Sequence, residues 1–172
     1  KKLYNMKSFK LFCFGFGQVA KYFVENLIRD NYKFDLITTN TSDTQKKKIK
    51  NCIHKSYFFK DDKFDTNLLE DLNSSNKILI SISPKNGTDI VSNLFEKNFR
   101  INNFDWVTYL SATSVYGNKK GRWVDESSTL EPTSKNGIAR LNAERKWLKY
   151  FYDFNLPIQI FRLSGIYSLE NN

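Results

Sequence analysis

Cysteine and histidine are scarce in this sequence, with two of the first and one of the second in 172 residues. Two cysteines exclude a disulfide-dense secreted scaffold and any Cys-rich zinc module, because both need several thiols at set spacings. Cys13 lies inside an apolar run and reads as a small core residue. Cys52 and His54 are two apart, but one pair of candidate ligands does not make a metal site, and none is assigned. A single histidine also removes most hydrolase triads and His-based metal centres. No segment approaches the roughly 18 apolar residues a membrane helix needs, so no membrane partner is expected. Lys1, Lys2, Lys7 and Lys10 around Leu11–Phe14 loosely imitate an export signal, but Gly15, Gly17 and Gln18 break the apolar run. The expected location is a reducing cytoplasm, with residues 1–8 a flexible N-terminal extension.

The sequence is rich in basic and aromatic residues: Lys+Arg 27 against Asp+Glu 18, a net charge of +9, and 16% aromatic within 40% hydrophobic residues. That composition describes one globular domain over 1–172. The positive charge invites an anionic polymer as partner. The lysines are, however, spread along the chain, and the largest cluster, Lys46, Lys47, Lys48 and Lys50, has no interleaved aromatics. It is expected to be a solvated loop or helix face, and a nucleic-acid-binding module stands only as a third reading.

Hydrophobic periodicity gives the organisation. Phe9–Phe14 is a short apolar run ending at glycines, and Val19, Ala20, Phe23, Val24, Leu27 and Ile28 follow at helical spacing. Strands are expected at 34–39, 53–59, 77–82, 104–111 and 158–163, and brief helices around Leu68–Leu72 and Ile90–Phe95. A long helix is expected from about Ser134 to Phe151, with Ile138, Leu141, Trp147, Leu148 and Phe151 lining one side. Strands alternating with helices predict an α/β domain: a three-layer, Rossmann-like, doubly wound and mainly parallel sheet.

Gly15-Phe16-Gly17-Gln18-Val19-Ala20 is a G-x-G-x-x-A placed between the first strand and the first helix. In a dinucleotide-binding turn the first glycine permits the bend and the second lets backbone approach a pyrophosphate. The small third residue lets helix and strand pack closely. Unpaired N–H groups at the helix start then face the anion. Gly15, Gly17, Gln18 and Val19 are therefore candidate cofactor contacts. Thr39 and Asn40 at the end of the second strand join them, as do Ile82, Ser83 and Pro84 after the fourth. An acid about 20 residues on would bind the ribose hydroxyls of NAD. Here Thr38-Thr39-Asn40-Thr41 occupies that place, which tilts the choice between NADP and NAD toward NADP, with Lys46–Lys48 within reach.

The second half carries a series of ordered motifs. Tyr109-Leu110-Ser111-Ala112-Thr113-Ser114-Val115-Tyr116-Gly117 is followed by Gly121 to Glu126, Glu131-Pro132, Gly137, Arg140 and Ala143-Glu144. Arg162-Leu163-Ser164-Gly165-Ile166-Tyr167 closes the series. This arrangement resembles the NAD-dependent epimerase/dehydratase family, the extended branch of the short-chain dehydrogenase/reductases. It is most similar to that family's atypical nucleoside-diphosphate-sugar epimerase-like members. The resemblance implies a nucleotide-sugar substrate and three active-site positions: a Ser or Thr four residues before the V-Y-G tyrosine, and a Tyr-x-x-x-Lys at the start of the long helix. Those positions hold Ala112, Asn136 and Arg140. An amide and a methyl group cannot shuttle a proton at neutral pH. Arg140 keeps a charge suited to holding cofactor. Ser111, Thr113 and Ser114 are the hydroxyls that could substitute, Tyr116 corresponds to a packing residue beside the site, and Asp125-Glu126 matches the family's acidic loop. Where the family continues into its substrate subdomain, this sequence reads Ser168-Leu169-Glu170-Asn171-Asn172. The expectation is a nucleotide-binding part lacking most of that C-terminal subdomain, weak or inactive as an oxidoreductase. Its last strand would be left with an open edge for a homodimer or partner chain. The alternative is an active epimerase or reductase with a rearranged site or a separately encoded substrate domain.

Overall fold

The computed structural model describes residues 8–166; the extension expected over 1–8 lies, apart from Ser8, outside the described residues, as do Tyr167–Asn172. In chain order the elements are β1 (Phe9–Phe14), α1 (Gln18–Arg29), β2 (Phe34–Asn40), β3 (Gln45–Ile49), β4 (Cys52–Lys60), β5 (Lys63–Phe64) and α2 (Leu68–Asn73). They continue with β6 (Lys77–Ile80), α3 (Ile90–Leu94), α4 (Glu96–Ile101), β7 (Trp106–Ala112), a 3-10 turn (Thr113–Tyr116), α5 (Lys135–Phe154) and β8 (Ile158–Leu163). The sheet runs β3-β4-β2-β1-β6-β7-β8, with β5 attached to β4. Every pairing from β4 to β8 along that path is parallel, while β3 and β5 pair antiparallel with β4. The six parallel strands therefore have the doubly wound order third-second-first-fourth-fifth-sixth, and the α/β, Rossmann-like expectation holds.

Both faces are covered, which explains the continuous apolar runs of the central strands. On one face, Leu11, Cys13, Leu36 and Leu79 pack against Ala20 and Val24 of α1. On the other, Phe12, Phe14, Ile78 and Ile80 pack under Leu68, Phe95, Phe99 and Trp147 of the remaining helices. Each fully buried side chain of this size contributes about 1.5–3 kcal/mol. Cys13 is buried as expected, and its surroundings push the thiol pKa upward, so it stays an inert packing group.

Two expectations are corrected. The lysine cluster is largely solvated as expected, but Lys46, Lys47 and Lys48 lie within strand β3 and only Lys50 in a turn. Backbone pairing with β4 holds that segment extended, and an edge strand tolerates charge because one of its sides meets water. In α5, Ile138, Leu148 and Phe151 are exposed, and the buried stripe is Ala139, Ala143, Trp147 and Tyr150, joined by Leu141. Of the face expected from sequence, Leu141 and Trp147 are buried, and small alanines in place of the other large residues let the helix approach the sheet. Ser134 caps the helix, its hydroxyl accepting from the Gly137 N–H at 3.0 Å.

Candidate functional site

In a doubly wound sheet the crevice opens where neighbouring strands send their chains to opposite faces. Here that point lies between β1 and β6, and the glycine turn stands on it. Gly15 has φ +79°, and a Cβ there would come within 2.9 Å of Ile82 Cγ1 and Ser81 Oγ. Its N–H donates to Thr39 Oγ1 at 2.8 Å, tying the turn to the end of β2. Gly17 differs. Its backbone is ordinary, at φ −78°, and a Cβ added to it would meet nothing within 4 Å. It caps a 12-residue helix that has no side-chain cap and no acid in its first turn. The open space thus faces N–H groups and the positive end of the helix dipole, an arrangement that fits a pyrophosphate.

Two cavities meet at this turn. The larger, about 720 Å³, is lined by Gly15, Thr39, Asn40, Ile82 and Ser83 among others. The smaller, about 240 Å³, is lined by Gly17, Gln18, Val19, Ser83, Ser111 and Arg140 among others. Ser83 belongs to both. Of the cofactor contacts read from sequence, Pro84 alone lines neither cavity.

Arg140 spans two strand ends, with Nη1 donating to the Leu110 carbonyl at 2.7 Å and Nη2 to Ser83 Oγ at 2.6 Å. Ala112 closes β7, and Asn136 is exposed in the first turn of α5. Gly137 is required by packing: a Cβ would lie 2.6 Å from the Ser114 carbonyl oxygen of the 3-10 turn. Of the three candidate hydroxyls, Ser111 lines the smaller cavity, is buried, and its Oγ has no hydrogen-bond partner. Thr113 and Ser114 are exposed and line neither cavity.

Among the described residues no tyrosine lines either cavity. Tyr116 accepts from Arg162 Nη1 at 2.9 Å, and Arg162 also forms a two-pronged ion pair with the buried Glu144. Those two partners raise the Arg162 pKa against its own partial burial. Tyr109 sits in the core, where burial raises its phenol pKa, and it lines neither cavity. Asp125 accepts from the Ser127 N–H and from the Ser127 and Ser128 hydroxyls, which fixes its own turn.

Of the lysines expected within reach, Lys47 and Lys48 line the larger cavity and Lys46 does not; sequence reasoning missed His54 and Ser56, which reach its far wall from β4, and Lys21 from α1. At its rim Lys85 pairs with Asp61 at 2.7 Å and holds that carboxyl below its ordinary range. The period-two alternation of β4 put 54 and 56 on one face, a signal available in principle. Which residues of β3 face them depends on a register that sequence does not carry.

No protein-family model matches the chain. A 59-residue stretch is 37% identical to an uncharacterized UDP-glucose epimerase, YtcB, of Bacillus subtilis (strain 168), covering 34% of this chain and 18% of that protein. A functionally unknown conserved protein from Silicibacter pomeroyi DSS is 28% identical with a TM-score of 0.72, over 92% of this chain and 54% of that one. The UDP-glucuronic acid 4-epimerase of Bacillus cereus, solved in complex with NAD, superposes with a TM-score of 0.75 at 19% identity, over 92% of this chain and 56% of that one. This chain spans about half the length of these solved structures. In fold, with the glycine turn, Ser111, Ala112 and Arg140 around one crevice, the chain resembles the NAD-dependent epimerase/dehydratase family.

Proposed function

We propose that this chain binds a nicotinamide dinucleotide across the glycine turn and, by itself, has little or no oxidoreductase activity. The observation that carries the binding reading is Gly17: its backbone angles suit any residue, yet the space a side chain would fill is kept empty before an uncapped helix N-terminus. The pyrophosphate would rest there, the adenosine half in the larger cavity and the nicotinamide half in the smaller, with Arg140 holding its ribose. When bound, the cofactor would accept or donate a hydride. The missing acid after β2 favours NADP over NAD. The weak-activity reading follows from chemistry: Ala112 and Asn136 offer no titratable proton, and neither cavity contains a phenol.

Calorimetric titration with NADP and NAD tests the binding reading, and no heat from either at millimolar concentration overturns it. Two glycine variants separate folding from binding. Gly17→Ala is expected to keep its stability within about 0.5 kcal/mol, as ordinary surface substitutions do, while dinucleotide affinity falls at least tenfold. Gly15→Ala is expected to lose stability as well, because of its positive φ and the contacts with Ile82 and Ser81.

One observation favours an active enzyme instead. Ser111 lines the nicotinamide-side cavity and its Oγ is buried without a hydrogen-bond partner, which supports a role in orienting a substrate oxygen. Turnover of a nucleotide-sugar panel that disappears in Ser111→Ala would establish that reading; a dead panel with intact cofactor binding would remove it. Among the described residues no strand pairs with the outer side of β8, and we propose that a second copy or a partner chain can pair there within a reducing cytoplasm, where Cys13 and Cys52 stay as thiols. A strictly monomeric mass in light scattering across concentrations would count against the second copy.

A further inference from the structure

Between β2 and β4 the chain makes a parallel connection without a helix. Residues 41–51 turn back as β3 on the outer edge of β4 instead of crossing over the sheet. β3 therefore ends the sheet on that side, and among the described residues no strand pairs with its outer edge. A sheet edge carries N–H and C=O groups without ladder partners, and proteins blunt it with proline, a bulge, a covering element or charge. β3 holds no proline, and its five residues pair with Cys52–Ser56 without a break, so it has no bulge. What guards this edge is charge.

Lys46, Lys47 and Lys48 are consecutive in β3, and Lys46 and Lys48 are exposed. The register sets Lys46 directly opposite Lys55, also exposed, and Lys48 opposite Ile53. Like charges facing each other across an antiparallel pair are unfavourable. Among the described residues neither Lys46 nor Lys48 has a carboxylate in an ion pair to offset this, while the Lys55 ammonium lies 4.5 Å from the Tyr57 ring centre. Two copies meeting at β3 would set lysines against lysines, so this edge repels a second copy of the chain. The same lysines leave the main-chain donors and acceptors of the edge open. A strand with acids at alternate positions would satisfy both the backbone and the charges.

We propose that the outer edge of β3 docks an extended acidic segment of a partner protein, which adds to the sheet as a further strand. Main-chain hydrogen bonds to β3 would supply affinity, and acids two residues apart, beside Lys46 and Lys48, would supply the choice of partner. Alternation sends Lys47 to the other face, where a third acid between those two would meet it. A nucleic acid fits less well, because β3 carries no aromatic side chain on which a base could stack. The edge is distinct from the dinucleotide cavities at Lys46, which lines neither, while Lys48 also borders the larger one.

The test titrates the full chain with a short peptide in which glutamate alternates with valine and threonine, and with the same peptide carrying glutamine for glutamate. Calorimetry reads affinity, and amide hydrogen exchange of residues 45–49 reads the place of binding. The acidic peptide should bind at least tenfold tighter than the glutamine peptide and slow exchange in β3. Lys46→Glu should weaken it at least tenfold and Lys46→Gln by a smaller factor. Lys97→Glu, the same change of charge on exposed α4, should leave it within twofold. No binding of the acidic peptide, equal affinity for the two peptides, or binding that leaves β3 exchange unchanged overturns the docking edge. Equal losses in Lys46→Glu and Lys97→Glu overturn it as well, since attraction would then follow net charge. So does a single-stranded oligonucleotide that binds tighter than the acidic peptide and is released by Lys46→Glu, which would give the edge to nucleic acid.

Discussion

His54 is the one histidine, and its environment sets a pH signature that can be measured without any ligand. Burial, followed by the charge of Lys47, lowers its pKa below the ordinary value of about 6.5; the Cys52 backbone acts in the opposite direction and offsets only part of this. The unfolded chain therefore takes up this proton near pH 6.5 while the folded chain still refuses it. Above that pH both states are neutral and His54 contributes no slope. Below it the unfolded state binds more protons, and stability falls as pH falls. Asp89 acts in the opposite sense: burial raises its pKa, so the folded state keeps that proton and gains as pH drops. A variant separates the two. Urea denaturation at pH 7.5 and 5.5 should show a larger loss for wild type than for His54→Phe, and parallel losses would refute the assignment. The same residue marks where sequence reading ran out. Gly15 and Gly17 were legible because a tight turn and a close backbone approach are local demands on residue type. His54 acquires meaning only through a strand register and a missing helix, neither of which its neighbours in sequence encode.

At the scale of elements, β8, α5 and the 3-10 turn are joined by one charged cluster. Arg162 of β8 pairs with Glu144 of α5 at 2.8 Å, and its guanidinium lies 4.9 Å from the Tyr116 ring centre. The Glu144 side chain is 1% exposed, so solvent cannot replace the arginine. Arg162→Met should cost about 3–5 kcal/mol in unfolding free energy, because it leaves a buried carboxylate uncompensated. Adding Glu144→Leu should recover a large part of that, since removing both charges also removes the desolvation penalty. A single-variant loss below about 1 kcal/mol would place the pair among ordinary surface bridges. Elements buried on both sides were the legible ones: Leu11–Phe14 and Ile78–Ile80 are apolar runs that only a covered strand explains. β3 was not, because backbone pairing at an edge selects almost nothing in side chains. The α5 stripe was misjudged for a related reason. Alanines 139 and 143 contribute closeness to the sheet, and periodicity arguments that weight large residues pass over them.

The whole molecule places its two cavities so that a single ligand would touch both halves of the double winding. The larger is walled by the glycine turn, α1, β2, β3 and β4 and the smaller by the start of α1, the ends of β7 and β8 and Arg140 of α5, with Ser83 between them. Neither α1 alone nor α5 alone closes the crevice, so a bound dinucleotide would join elements that otherwise meet mainly through β1–β6 pairing. A ligand at a hundred times its dissociation constant stabilises the fold by about 2.7 kcal/mol, on the order of 5–10 °C in Tm for a chain of this length. The favoured dinucleotide at that saturation should therefore raise the melting temperature by several degrees. At the same concentration, 5′-AMP and nicotinamide mononucleotide added together should give a smaller shift, because two separate ligands each lose their own translational freedom on binding. Equal shifts would mean that the two cavities act as unconnected sites, and that the pyrophosphate does not bridge them over the open face of Gly17.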